Sequence, residues 1–176
     1  NAKQIIAIHE NLEQNMKTIS SKRPLRIGAT LTVGTNIMAK IVKGIEEEKS
    51  DIDCFVHVNN TDHIEQMLLY NELDIAVVEG IIDHKEIITA PAFDDNLCII
   101  CSKEHPLASK EVITPDDLHN QQFILREKGS GTRKIFEQLM RNHHIPYKVK
   151  WESNSTPAIT DAVSYNLGLA FVPVRC

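Results

Sequence analysis

From Leu25 onward, short apolar segments typical of β-strands alternate with amphipathic segments typical of helices. Ile37, Ile41 and Ile45, for example, fall on one face of a predicted helix. The predicted strands are residues 25–29, 52–58, 74–78, 86–90, 97–101, 123–125, 149–152 and 169–172. Such alternation favours an α/β fold, in which mostly parallel sheets carry helices on both faces.

Polar junctions follow several of the predicted strands. Four of them are rich in hydroxyls, amides or glycine: residues 30–34, 59–62, 129–132 and 153–156. The first is predicted to be a turn that extends to Thr35, and the second to start a helix with Asp62 and Glu65 spaced as a capping box. One such junction is no more than a helix cap. Ligands in α/β folds bind where strands end and helices begin, so four junctions in two halves predict a cleft with a preference for small anions.

The junction Gly129-Ser130-Gly131-Thr132 runs directly into an apolar helical pattern: Ile135, Phe136, Leu139 and Met140. Its glycines let the backbone approach a ligand closely, and Ser130 and Thr132 add hydroxyl groups. A well-capped surface helix explains the same residues. The Walker pattern GxxxxGK[ST] is absent, so this junction is not a nucleotide-binding loop of that type.

The N-terminal segment has a different pattern. Residues 3–20 contain no Gly or Pro and repeat apolar residues at alternating spacings of three and four: Ile5, Ile8, Leu12 and Ile19. Asn15 continues this pattern with a polar residue of the kind that sets helix register or partner number. The segment predicts a helix that pairs with a partner helix, and residues 20–24 read as a linker. A short helix packed on its own domain is the alternative.

Composition and charge exclude several functions. The chain has a globular composition, with 42% hydrophobic and 24% charged residues. A net charge of −5 argues against this chain binding nucleic acid by itself. No apolar run reaches the length of a membrane span, and we expect no secretory signal before Asn1. We therefore expect a cytoplasmic protein without a membrane partner.

Cysteine and histidine do not predict a metal site. Cys98 and Cys101 fit the spacing CxxC, but they lie in a predicted strand, where residues three apart point to opposite faces. Their thiols are therefore not expected to share a metal or to form a strain-free disulfide. The eight histidines are dispersed and form no HExxH motif. We expect neither a metal nor a cofactor.

Five segments, in this order, resemble the effector-binding region of a LysR-type transcriptional regulator. They are residues 25–30 (LRIGAT), 73–79 (LDIAVVE), 105–108 (HPLA), 125–133 (LREKGSGTR) and 168–173 (GLAFVP). The resemblance implies a type II periplasmic-binding-protein-like fold, with two Rossmann-like α/β subdomains and a ligand cleft between them. Residues 25–93 would form the first subdomain and residues 94–176 the second. Residues 1–24 would form a dimerising linker helix and its linker.

The resemblance also implies an effector site for a small molecule, expected to be an anion. Residues of three turns match the family's contact positions, and one arginine matches as a charge partner: Thr30, Thr32, Val33, Asn60, Thr61, Ser130, Gly131, Thr132 and Arg126. The family binds DNA through a winged helix-turn-helix that is absent from this chain, and its members are expected to work as homodimers or homotetramers. The family pattern also continues past Pro173 to complete the first subdomain, whereas this sequence ends at Cys176.

Two other functions remain open from the residues. A solute-binding protein of a transporter shares the fold, but it predicts a signal peptide or a lipid-anchor cysteine near the N-terminus, and neither is visible. A transferase or dehydratase of the same architecture needs a nucleophile or an acid–base set at the cleft. Asp62 and Glu127 are the candidate carboxylates near the junctions. A helix cap explains Asp62 and pairing with Arg126 or Lys128 explains Glu127, so no catalytic residue is expected.

Overall fold

The computed structural model describes residues 6–7, 9–10 and 23–174. Residues 6–7 and 9–10 are helical. The other residues of the predicted N-terminal helix, including Asn15, lie outside the described residues, as do most of the predicted linker and Cys176. The chain divides into two compact units, residues 1–90 and 91–176.

The first unit contains a parallel sheet of three strands in the order β2-β1-β3. Its elements are β1 (Leu25–Thr30), α1 (Leu31–Asn36), α2 (Met38–Glu48), β2 (Cys54–Asn59), α3 (Thr61–Leu69) and β3 (Ile75–Val77). Alternate residues of β1 point to opposite faces. Ile27 and Ala29 therefore pack with Val33 and Met38 of α1 and α2. Gly28 faces the other side, close to Ile64 of α3.

The second unit contains a sheet of four strands in the order β4-β7-β5-β6. Only β4 runs antiparallel to its neighbour. The elements are β4 (Leu97–Ile100), β5 (Gln122–Arg126), α4 (Gly131–Asn142), β6 (Lys148–Ser153), α5 (Thr156–Ser164) and β7 (Leu169–Pro173), with 3₁₀ turns at Pro106–Ser109 and Pro115–Leu118. Phe123 and Leu125 pack against Phe136 of α4, and Ile124 packs against Ile159 of α5.

The predicted alternation of strands and helices is confirmed in both units, and the second unit has helices on both faces of its sheet. The two cysteines of the CxxC spacing behave as expected. Cys98 packs against the cluster on the α5 side, and Cys101 packs against the cluster on the α4 side. Both are free thiols.

The prediction of a turn over residues 30–35 is wrong, because α1 starts directly after β1 with Thr30 as its N-cap. Gly34, which suggested a turn, lies within α1. A Cβ atom at this position would come 2.7 Å from Cγ1 of Val58. The glycine therefore allows α1 to pack closely on β2 and does not reverse the chain.

Two further local predictions are wrong. The N-cap of α3 is Asn60, whose side chain accepts a hydrogen bond from the main-chain N of His63 at 3.0 Å. Asp62 therefore lies in the first turn of α3 and is not the cap of a box with Glu65. Residues 86–90 are not a strand, and among residues 23–174 no strand pairs with them. An apolar pattern alone does not make a strand, because a strand needs a neighbour to pair with. Here Ile88 is 99% exposed, so the apolar residues of this segment are not packed in a sheet.

Candidate functional site

In the first unit, the end of β1 and the start of α1 carry three of the predicted contact residues. Thr30 is buried, and its Oγ1 accepts a hydrogen bond from the main-chain N of Glu79 at 3.2 Å. Thr32, the second residue of α1, has a buried Oγ1 with no hydrogen-bond partner among the described residues. Val33 belongs to the core cluster with Ile27. The side chain of Val33 is therefore structural, and only its main-chain atoms are available to contact a ligand.

The second predicted turn, at the end of β2, also forms a hydrogen bond to Glu79, the residue after β3 that bonds to Thr30. Thr61 is buried, and its Oγ1 donates to the carbonyl oxygen of Glu79 at 3.3 Å. Thr30 and Thr61 thus bind the N–H and the C=O of one residue. The two hydroxyls hold the carboxyl ends of β1, β2 and β3 together.

In the second unit, residues 127–130 form the turn between β5 and α4. The main-chain N of Ser130 donates to the carbonyl oxygen of Glu127 at 3.2 Å, and Gly129 has a φ of 93°, which favours glycine. Ser130 is the N-cap of α4, and Ser130, Gly131 and Thr132 are all buried. The turn therefore delivers the predicted residues to the N-terminus of a twelve-residue helix, where unpaired N–H groups and the helix dipole favour an anion.

Thr132 occupies the same position in α4 that Thr32 occupies in α1. Each is the second residue after its N-cap. The Thr132 side chain is only 2% exposed, and its Oγ1 has no hydrogen-bond partner among the described residues. A buried hydroxyl without a partner costs about 1–3 kcal/mol. Such a group in a folded protein calls for an explanation, and a ligand that bonds to it is one.

Arg126, the predicted charge partner, is already paired. Its side chain is 4% exposed at the end of β5. Nε donates to Oε2 of Glu127 at 2.9 Å, and Nη2 donates to Oε1 at 3.1 Å. The carboxylate of Glu127 therefore occupies the guanidinium in a bidentate manner.

Arg133 is a residue that the sequence reasoning did not assign. Its buried guanidinium donates to the carbonyl oxygen of Arg126 at 2.9 Å, to Oε1 of Glu137 at 2.8 Å and to the carboxylate of Glu152. Burial disfavours its charge, but the hydrogen bonds that Arg133 donates to Glu137 and Glu152 outweigh burial, so the pKa of Arg133 is raised. The hydrogen bond from Arg133 holds the pKa of Glu152 below its usual value. The i, i+4 spacing of Arg133 and Glu137 was the only signal visible in the sequence.

The fourth junction of the sequence prediction is an ordinary helix start. Oγ of Ser155 accepts from the main-chain N of Ala158 at 3.3 Å, and Oγ of Ser153 accepts from the main-chain N of Ser155 at 3.1 Å. Both hydroxyls are thus used within the cap of α5.

Elsewhere in the first unit, His57 of β2 has a buried Nε2 without a hydrogen-bond partner among the described residues, and its ring stacks on that of His63 at 5.9 Å. Among the residues that the structure describes, no group of three or more His, Cys, Asp or Glu side chains is placed to hold a metal ion. Within the same part of the chain, no helix is both long and apolar enough to cross a membrane.

Comparison with known families assigns the chain to a protein family. The family model of the LysR substrate binding domain matches residues 20–176. The chain therefore belongs to this family, and the resemblance found in the sequence is confirmed.

Its relatives include transcriptional regulators. The chain is 26% identical over 171 residues to the HTH-type transcriptional regulator CysL of Bacillus subtilis (strain 168), covering 96% of this chain and 57% of that protein. It is 35% identical over 154 residues to a probable RuBisCO transcriptional regulator of Phaeodactylum tricornutum, covering 84% of this chain and 50% of that protein. The chain thus spans about half the length of these curated relatives.

A solved structure of the family has the same fold. The regulatory domain of CcmR from Synechocystis PCC6803, in complex with 2-PG, is 28% identical and superposes with a TM-score of 0.76. The match covers 86% of this chain and 73% of that chain. The predicted fold class, an α/β protein of the LysR effector-binding type, is therefore correct.

Proposed function

We propose that this chain is the effector-sensing part of a DNA-binding transcriptional regulator and that it binds a small anion at the turn before α4. The observation that carries this proposal is the buried hydroxyl of Thr132 beside the N-terminus of α4, for which the described part of the chain offers no hydrogen-bond partner. The relatives of the chain support the proposal, since two of them are named as transcriptional regulators and a third is a regulatory domain in complex with 2-PG. None of the three is named as a transporter's solute-binding protein.

The anion would be held by neutral donors. The hydroxyls of Ser130 and Thr132 and the main chain of Gly131 are the proposed contacts in the second unit. In the first unit, the hydroxyl of Thr32, the side chain of Asn60 and the main chain of Val33 are the proposed contacts. Thr30 and Thr61 would position the first-unit residues through Glu79, as their hydrogen bonds suggest. That one effector contacts both units stays a prediction.

We further propose that the chain is not an enzyme. Catalysis at these turns would need a carboxylate, hydroxyl or thiol activated by a neighbouring base. Glu127 is engaged by Arg126, and Asp62 lies in the first turn of α3, where a carboxylate stabilises the helix. Neither residue is placed as a free acid or base.

DNA and a second copy of the chain are the proposed macromolecular partners. DNA would be bound in the cytoplasm through a helix-turn-helix module outside this chain, in keeping with the name of the Bacillus relative. A homodimer or homotetramer fits the exposed aromatic residues on two edge strands, Phe55 of β2 and Trp151 of β6, which are 57% and 44% exposed.

A ligand screen on the full-length protein tests the effector site. Phosphate, sulfate and small carboxylates are added one at a time, and the unfolding temperature is measured for the wild type and for Thr132→Val. We expect at least one anion to raise the unfolding temperature of the wild type, and the variant to lose most of that rise while it remains folded. An equal rise in both proteins would refute the assignment of Thr132.

A further inference from the structure

The ion pair of Arg126 and Glu127 supplies none of the donors of the anion site proposed above. Arg126 is almost fully buried, whereas the Glu127 side chain is 18% exposed. The carboxylate is therefore the member of the pair nearer to solvent. A buried guanidinium needs an anion beside it, because an unpaired charge in the interior is costly. Whatever anion satisfies Arg126 has to occupy the place that Glu127 holds.

Arg126 differs in this respect from Arg133, the other buried arginine of the second unit. Arg133 donates to Glu137, to Glu152 and to the main chain of Arg126. The hydrogen bonds of the Arg126 side chain within residues 23–174 both go to Glu127. Loss of one partner would leave Arg133 with two others, but it would leave Arg126 with none of these bonds.

Glu127 is also part of the turn that carries the proposed contact residues. Its carbonyl oxygen accepts the hydrogen bond from the main-chain N of Ser130 that closes the turn before α4. The carboxylate that neutralises Arg126 and the hydroxyl N-cap of α4 therefore belong to one four-residue segment. A ligand bound by the N-cap residue Ser130 would therefore be held by the same four-residue segment that carries Glu127.

We propose that Glu127 is a specificity-determining residue of the anion site. Its carboxylate occupies the guanidinium of Arg126, so a bound anion meets a neutral pair and is held by N–H and hydroxyl donors alone. An anion of higher charge then gains no ion pair with the protein. This inference rests on the anion site proposed above.

The consequence is a site that discriminates weakly between small anions of single and double charge. Glu127→Gln keeps the size of the side chain and one oxygen that can accept from Arg126, but it removes the competing charge. Arg126 is then free to pair with the ligand, and the gain grows with the charge of the ligand. Glu111→Gln makes the same change in net charge at an exposed position of the same unit and serves as the matched control.

The test measures sulfate and nitrate binding to the full-length protein by calorimetry at one pH and one ionic strength. We expect Glu127→Gln to bind sulfate about tenfold more tightly than the wild type, as one added charge-assisted hydrogen bond would. Nitrate should gain less, and Glu111→Gln should bind both anions like the wild type. In Glu127→Gln combined with Arg126→Gln, the sulfate gain should vanish.

A second variant without the carboxylate, Glu127→Ala, serves if Glu127→Gln fails to fold. Like Glu127→Gln, it should tighten sulfate binding, since it leaves the guanidinium of Arg126 without its partner. A folded Glu127 variant that binds sulfate no tighter than Glu111→Gln overturns the inference. If Thr132→Val still weakens sulfate binding in that case, the proposed anion site survives without it. If Thr132→Val also changes nothing, both proposals fall.

Discussion

Arg26 and Asp74 are joined by four hydrogen bonds. The guanidinium of Arg26 donates from Nη2 to Oδ1 of Asp74 at 2.8 Å and from Nε to Oδ2 at 3.1 Å. The main-chain N of Arg26 donates to Oδ2 at 2.9 Å, and the main-chain N of Asp74 returns a bond to the carbonyl oxygen of Arg26 at 2.9 Å. This pair fixes the start of β3 against β1. It lies at the end of the sheet opposite to Thr30 and Thr61.

Asp74→Asn should destabilise the protein by about 1–2 kcal/mol at neutral pH, because the side chains of Arg26 and Arg23 both lose a charged acceptor. The value is kept small because Asp74 is partly exposed and solvent screens the pair. Urea unfolding at pH 7 measures the change. Glu72→Gln, at an exposed site two residues away, should change stability little. An Asp74→Asn protein as stable as this control would show that the charge of the Asp74 carboxylate does not contribute.

The pKa of Asp117 is lowered to about 2, first by the hydrogen bond from the Lys110 side chain and then by that from the main-chain N of Thr114. A carboxyl with a lower pKa in the folded state adds stability above its unfolded pKa of about 3.9, and this stability is lost as the pH falls towards about 2. Lys110→Met should therefore raise the pKa of Asp117 and reduce this acid dependence. An NMR titration of the Asp117 carboxyl carbon measures the shift. An unmoved pKa would assign the effect to Thr114 alone.

Thr132→Val should leave the stability of the ligand-free protein unchanged or raise it, because it keeps the shape of the side chain and removes a buried hydroxyl that has no partner within residues 23–174. Thr132→Ser keeps the hydroxyl and should keep anion binding, at the cost of one buried methyl group. Thermal unfolding without ligand measures the first effect. A marked loss of stability in Thr132→Val would mean that the hydroxyl is bonded within the protein, and it would weaken the case for a ligand.

Arg133→Met should destabilise the protein by about 1–3 kcal/mol, since three acceptors lose their donor and two of them are carboxylates. The loss should be concentrated at the turn before α4. Hydrogen exchange of the Gly131 and Thr132 amides should become faster than in the wild type, while exchange in β1 stays the same. Unchanged exchange at the turn would show that Arg133 stabilises the unit without holding the turn.

The second unit was predictable from local signals, because its strands are apolar runs and its helices carry clear starts and ends. Ser130 and Ser155 are N-caps, and Asn166 takes the left-handed conformation after α5 with a φ of 56°. The network around Arg133 was not predictable. Glu152 lies nineteen residues further along the chain, and it meets Arg133 only because the register of β5 and β6, shifted between Phe123 and Ile124, places it opposite Leu125.

The candidate site was predictable to a similar extent. The junctions were found because hydroxyl and glycine residues follow apolar runs, but composition could not tell which hydroxyls bond within the protein. Those of Thr30 and Thr61 bind Glu79, whereas that of Thr132 does not bond to a described residue. This difference depends on where the chain passes after β3, and no local pattern encodes it.

Gly34 and Gly44 offer a matched pair for testing how closely α1 packs on β2. In Gly34→Ala the new Cβ would lie 2.7 Å and 2.8 Å from the two methyl groups of Val58, so the helix or the strand must shift. We expect a loss of about 1–3 kcal/mol, as for other overpacked sites. Gly44→Ala lies in α2 with nothing within 4 Å of the new Cβ, and it should stabilise the protein by about 0.5–1 kcal/mol through helix propensity. Chemical unfolding of both variants measures the difference. Val58→Ala should restore much of the stability lost in Gly34→Ala, because it removes both methyl groups, and a failure to restore it would place the cost of the alanine elsewhere in α1.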